Sequence, residues 1–421
     1  MAALRRYSEV WRIPGAPALL VGGIFARLPI GMTPLALLLL VEGTTDRYTP
    51  AAIASAVFAL AGAAASPIAG RLCDRLGPAP VLIVTAIAHP IALLGLILSA
   101  DRGLPLAAIW VAAGLVGATF PPLTAAVRGA WSTLTASGSG REHLRSPALA
   151  AETTLFEVVF VIGPLLVAGF LIVSTPAAAL FGAGVITLIG TIGLSRSPAI
   201  RGWRRDPTHV TARGLGPLTS PGFPALLVCV FGLSIAFGAV SVIVPAFADF
   251  HSSSESADGL AGVLLAMWAI GSTIGGVWFG TRSFQAPLQL QFALFLGAVS
   301  ISLFVFSVMS SPFALGTGLL IGGAAIAPAL TLENSMVAHT APAGMVNEAF
   351  TWVVTVSVAA SSLGGAVAGP LVDHPGGLPW AFVVAGASVA CAALVAGWPN
   401  GPLAKGGSPT AGVRDIAQDA A

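Results

Sequence analysis

Apolar runs of about 20 residues recur along this chain, each ended by charges, by Pro and Gly, or by a Ser cluster. They fall at 18–41, 50–70, 79–100, 104–127, 148–172, 177–195, 222–248, 259–280, 287–309, 312–337, 346–371 and 378–398. A helix needs a run of that length to cross the hydrocarbon of a bilayer. The pattern therefore predicts twelve membrane-spanning helices and an all-α membrane protein.

Composition strengthens this reading. Of the 421 residues, 56% are hydrophobic and only 9% charged, where a water-soluble domain carries about 25%. The mean hydropathy is +0.91. So few charges cannot cover a surface facing water, and most of the outside must face lipid. The placement of charge then sets orientation. Arg47 and Arg102 follow odd-numbered spans, Arg27 lies inside the first, and the other sixteen of the 19 basic residues fall on the opposite side. That side is the cytoplasm, with both termini on it. Lys405 is the only lysine; the arginine bias, with heavy Ala and Gly usage, points to a bacterial genome rich in G and C, and hence to a bacterial inner membrane. Arg5, Arg6 and Arg12 precede a long first run without a small-residue cleavage site, which reads as a retained helix.

Several function classes drop out. Cys73, Cys229 and Cys391 are too scattered for a disulfide framework or a metal site. One lysine, outside any Gly-rich loop, leaves no Walker-type phosphate loop, so the chain is not by itself an ATP-driven pump. No cofactor, metal or nucleic-acid partner is expected. An enzyme embedded in the membrane would need paired acids or a histidine–acid pair at one interface, and none is visible.

The basic connection 196–221 splits the chain into halves that resemble each other. PPLT at 121–124 returns as PALT at 328–331, and VAGFL at 167–171 as VAGPL at 367–371. Gly70 and Gly276 fall at similar places in the second and eighth spans, at a similar offset. The expected organisation is a six-helix bundle over 1–195, a linker over 196–221, a second bundle over 222–398 and a tail over 399–421. Such a repeat implies a pseudo-two-fold axis and a site near mid-membrane.

Residues 70–77, GRLCDRLG, form a tight charged turn between spans two and three. Gly70 suits close helix approach, Gly77 suits the turn, and Arg71 and Arg75 anchor it to the inner surface. Asp74 is placed to accept hydrogen bonds from a neighbouring helix N-terminus or to pair with an arginine. This stretch resembles the signature loop of the major facilitator superfamily, Gly-x-Leu-Ala-Asp-Arg-x-Gly followed by basic residues. Pro78, Ala79 and Pro80 stand where the basic residues are usual. The second-half counterpart, GVWFGTRSFQAP at 276–287, has Gly280 in the acidic position and Arg282 as its charge. The resemblance implies a twelve-helix transporter with two pseudo-symmetric bundles, in which Asp74 helps to hold the outward-facing state. In span five, VVFVIGPLLVAG at 158–169 resembles the Gly-Pro element of drug–proton antiporters through Gly163 and Pro164.

Charges inside the membrane are the chemical candidates. Arg27 and Glu157 each lie nine residues into parallel spans, about 13 Å from their starts, and are expected to pair. Glu152 sits about 140° around the helix from Glu157, toward Arg128, as a gate contact or an interfacial anchor. Glu333, in span ten, is a second proton-coupling candidate beside Glu157. Glu348 opens span eleven as a gate residue or a dipole-compensating acid. Trp268 and Trp352 are candidates to line an apolar pocket. His89 precedes Pro90 and is expected to be neutral, bonded to backbone freed by the kink. The expected function is secondary transport by alternating access in a monomer, with proton-coupled efflux of an amphipathic small molecule. The alternative is uptake or facilitated diffusion of a polar nutrient, which few in-span polar side chains support.

Overall fold

The computed structural model describes residues 9–135, 139–202, 216–220, 222–251, 254–282, 285–341 and 345–406. Among them every regular element is a helix. Eleven segments are long and apolar enough to cross a bilayer. The twelfth span, the 29-residue helix Arg145–Val173, has its described apolar stretch at Val158–Val173. The ladder of apolar runs thus appears as helices with ends moved by a few residues.

Span one is Gly23–Thr45, entered through a turn of π-helix at Ala18–Gly22. Span two is Tyr48–Leu76 and span three Pro78–Asp101. Span four is broken: Leu106–Ala118 stops before Pro121 and Pro122, and Leu123–Leu134 resumes. A proline lacks the amide hydrogen and restricts the residue before it, so a Pro-Pro pair ends one helix and opens the next. Span five is Arg145–Val173 and span six Pro176–Ser195. The second half repeats the pattern as Phe223–His251, Ser254–Gly280, Leu288–Phe306, Pro312–Gly323 with Ile326–Thr340, Val346–Asp373 and Gly377–Gly397. Span ten is interrupted where span four is, next to the repeated PALT, so the internal repeat extends to the helix break.

The chain divides into two compact units, residues 1–209 with 244–266 and residues 210–243 with 267–421. In the first, span one lies against spans five and six at glycines. A Cβ on Gly163 would sit 2.5 Å from the Gly31 carbonyl carbon, and one on Gly190 would sit 2.7 Å from Ala26 Cα. The end of span seven and the start of span eight, residues 244–266, join this unit, with Gly262 pressed on span five: its Cβ would meet the Pro164 oxygen at 2.7 Å. Small residues give lipid-embedded helices this close backbone approach and the van der Waals contact that holds them together.

One end of the first unit is closed by an apolar cluster that the hydropathy ladder does not announce. Val10, Ile13, Trp131, Leu144 and Ile200 are buried together there. They come from the start of the chain, the end of span four, the stretch before span five and the helix Pro198–Arg201. Burial of apolar area is a term these segments share.

Candidate functional site

The charged centre of the first unit joins spans one, four and five. Arg27 and Glu152 are 2% and 5% exposed, so both charges are removed from solvent. Arg27 Nη1 lies 2.9 Å from Glu152 Oε1. Its Nη2 donates to the Leu123 carbonyl at 3.4 Å, just past the break in span four. Glu152 Oε2 is buried and has no hydrogen-bond partner among the described residues. Arg128 Nε stands 3.9 Å from it, on a side chain that is 63% exposed.

Depth predicts an Arg27–Glu157 pair, and the pair that the structure describes is Arg27–Glu152. The side chain of Glu157 lies outside the described residues. Spans one and five meet at Gly31 and Gly163. From there Arg27 lies about 6 Å back along its helix and Glu152 about 16 Å back along its own. Helical side chains lean toward their own N-terminus, so the long arginine reaches toward the start of span five.

In the second unit Glu333 is 6% exposed in span ten. It has no ion pair or hydrogen bond among the described residues. The thiol of Cys229 in span seven lies within electrostatic reach of it. That thiol donates to the Ala392 carbonyl at 3.4 Å. Trp268 is half-buried and packs edge-on to Phe237 at 5.5 Å. Trp352 is half-buried in span eleven, and Glu348 lies in the first turn of that helix.

The charged turn after span two has the predicted geometry at Gly77, whose φ of +85° and ψ of 157° fit glycine alone. Its amide donates to the Cys73 carbonyl at 2.9 Å. Gly77→Ala is expected to lower stability by about 1–3 kcal/mol, read as a fall in the thermal midpoint of the purified protein. Gly70 is not a close-approach site here, since a Cβ on it would meet nothing within 4 Å. Arg71 and Arg75 are exposed, and the Asp74 side chain lies outside the described residues. In the counterpart turn, the Arg282 guanidinium lies 5.8 Å over the Trp278 ring. His89 is fully buried, but its Nδ1 meets the Val116 carbonyl of span four at 3.0 Å, so its bond crosses to a neighbouring helix. A carbonyl only accepts, so Nδ1 carries the hydrogen; the ring edge rests on Phe120 at 4.9 Å.

Twelve apolar spans in two like halves, with charges held inside them, define a polytopic membrane protein of the transporter type. The family model described as Major Facilitator Superfamily matches residues 19–365. The chain belongs to that superfamily and is a membrane transporter rather than an enzyme. It is 22% identical over 405 residues, 92% of this chain and 95% of the relative, to an uncharacterized MFS-type transporter, y4rN, of Sinorhizobium fredii. Among solved structures it is similar to the nucleoside transporter NupG, with a TM-score of 0.71, 14% identity and coverage of 90% and 98% of the two chains. A peptide transporter, POT, in complex with sulfate gives 0.69, 14%, 93% and 97%. A bacterial homologue of the iron transporter ferroportin gives 0.60, 18%, 93% and 99%. These likenesses speak to the fold.

Proposed function

We propose that this protein is a proton-coupled secondary transporter that exports an amphipathic small molecule by alternating access. It would act as a monomer in a bacterial inner membrane with both termini in the cytoplasm. The carrying observation is Glu333, a buried carboxyl in a membrane span without a described cation or hydrogen-bond donor. Isolated buried charge is expensive in such a place. Glu333 can take up and give back a proton without breaking an existing pair, whereas protonating Glu152 weakens its contact with Arg27. Glu333 is therefore preferred to Glu152 as the proton carrier, with Glu157 the other candidate, and Arg27–Glu152 is assigned to holding spans one, four and five together. Trp268 and Trp352 are assigned to the apolar part of the load, and Asp74, Arg75 and Glu348 to the conformational change. Efflux rests on the Gly163–Pro164 element of span five and its resemblance to antiporters.

The test is proton movement in proteoliposomes, followed with an internal pH dye, on addition of lipophilic cations and secondary metabolites. Wild type is expected to show substrate-driven proton flux that Glu333→Gln abolishes. Flux lost in Glu157→Gln but kept in Glu333→Gln would move the carrier to span five. Substrate movement with no proton flux would end the coupling proposal.

A further inference from the structure

The charged centre of the first unit holds two arginines and one carboxylate among its described side chains, and the three differ in access. Arg27 is buried and already spends donors on Glu152 Oε1 and the Leu123 carbonyl. Glu152 is buried, with Oε1 taken and Oε2 without a hydrogen-bond partner. Arg128 is 63% exposed, and its one described contact, Nε to Oε2 at 3.9 Å, is longer than a hydrogen bond. Among the described residues its planar guanidinium thus has donors without a partner, beside a pair that is already neutral. The cluster carries one net positive charge from its described side chains, and that charge sits on the accessible member.

We propose that Arg128 is a binding group for the oxyanion of an amphipathic ligand, a carboxylate or phosphate, with the Arg27–Glu152 pair as its fixed base. Arginine suits this role because its fork matches two oxygens at once. At the mouth of a low-dielectric span, such a contact counts for more than in bulk water. Glu152 has two effects. Its carboxylate holds the Arg128 stem near the mouth, and its charge lowers the potential the ligand meets. Removing that charge strengthens anion binding as long as Arg27 keeps the fold. The proposal names the load class of the transporter reading, and it is independent of direction and of proton coupling. Two sources share the chemistry, a transported organic anion and an anionic lipid headgroup.

The experiment measures binding of phenylacetate, naphthaleneacetate and decanoate, each beside its neutral amide, to the full-length protein in phosphatidylcholine liposomes. At least one acid is expected to bind about tenfold or more tightly than its amide, by about one charge-assisted contact. Arg128→Gln removes the preference, Arg128→Lys keeps part of it, and Glu152→Gln increases it. No acid outcompeting its amide, or a preference that survives Arg128→Gln, overturns the proposal. Added phosphatidylglycerol separates the sources. If it suppresses acid binding to wild type, the headgroup is an occupant of the Arg128 site; if it leaves binding unchanged, the site takes the soluble anion. Proton flux driven by a neutral or cationic load, intact in Arg128→Gln, would overturn the anion site while leaving proton-coupled transport in place.

Discussion

Replacing Arg27 with Met is expected to destabilise the protein by about 3–5 kcal/mol, the usual result of stranding a buried charge. Glu152 is 5% exposed and its only described partners are Arg27 at 2.9 Å and Arg128 at 3.9 Å. Without Arg27 it keeps the longer contact alone. Glu152→Leu should also destabilise, and by less, because Arg27 loses the carboxylate facing its Nη1 but keeps its bond to the Leu123 carbonyl. The double variant Arg27→Met with Glu152→Leu should recover much of the loss, since apolar replacements of a buried pair often come close to neutral. Thermal unfolding of the four proteins in one detergent gives the cycle. Additive losses in the double variant would show that the two charges are not coupled, and the ion pair would lose its assigned role.

The second large effect belongs to the crossing of spans one and five. A side chain at Gly163 has no room: its Cβ would lie 2.5 Å from the carbonyl carbon and 2.6 Å from the Cα of Gly31. These are backbone atoms, which cannot rotate aside as a side-chain tip does. Gly163→Val must push the helices apart and is expected to cost about 1–3 kcal/mol or more. It should also abolish transport, because Gly262 contacts the same helix one residue on, at Pro164, and the displacement would propagate to span eight. Gly169 is the internal control. It lies in the same helix with nothing within 4 Å of a Cβ, so Gly169→Ala should be neutral or slightly stabilising. Equal effects at positions 163 and 169 would show that helix propensity, and not the crossing, sets the cost.

Much of this architecture was legible in the chain because a bilayer simplifies the problem. A spanning segment must satisfy its backbone internally, so a long apolar run admits one regular structure. The twelve runs, the even count and the like halves therefore carried over into helices with modest end shifts. The repeated PPLT and PALT marked equivalent places in the halves: PPLT straddles the interruption of span four, and PALT lies in the first turns of the helix that resumes span ten. The Gly-Pro pair of span five was also visible, though not that Gly31 and Gly262 would be its partners.

Hydropathy alone determined that this is a membrane protein of twelve helices, because lipid selects segments by length and polarity, which are properties of one chain segment at a time. Only the tertiary structure decided which charges meet. Arg27 and Glu152 meet because helix crossing and side-chain direction set reach, and neither is written in hydropathy. The same holds for Glu333, where the informative fact is the missing counter-charge among the described residues. It also holds for the apolar cluster that gathers Val10, Trp131 and Ile200 from distant segments. A neighbour's identity is a property of packing, and packing joins residues that the sequence keeps far apart.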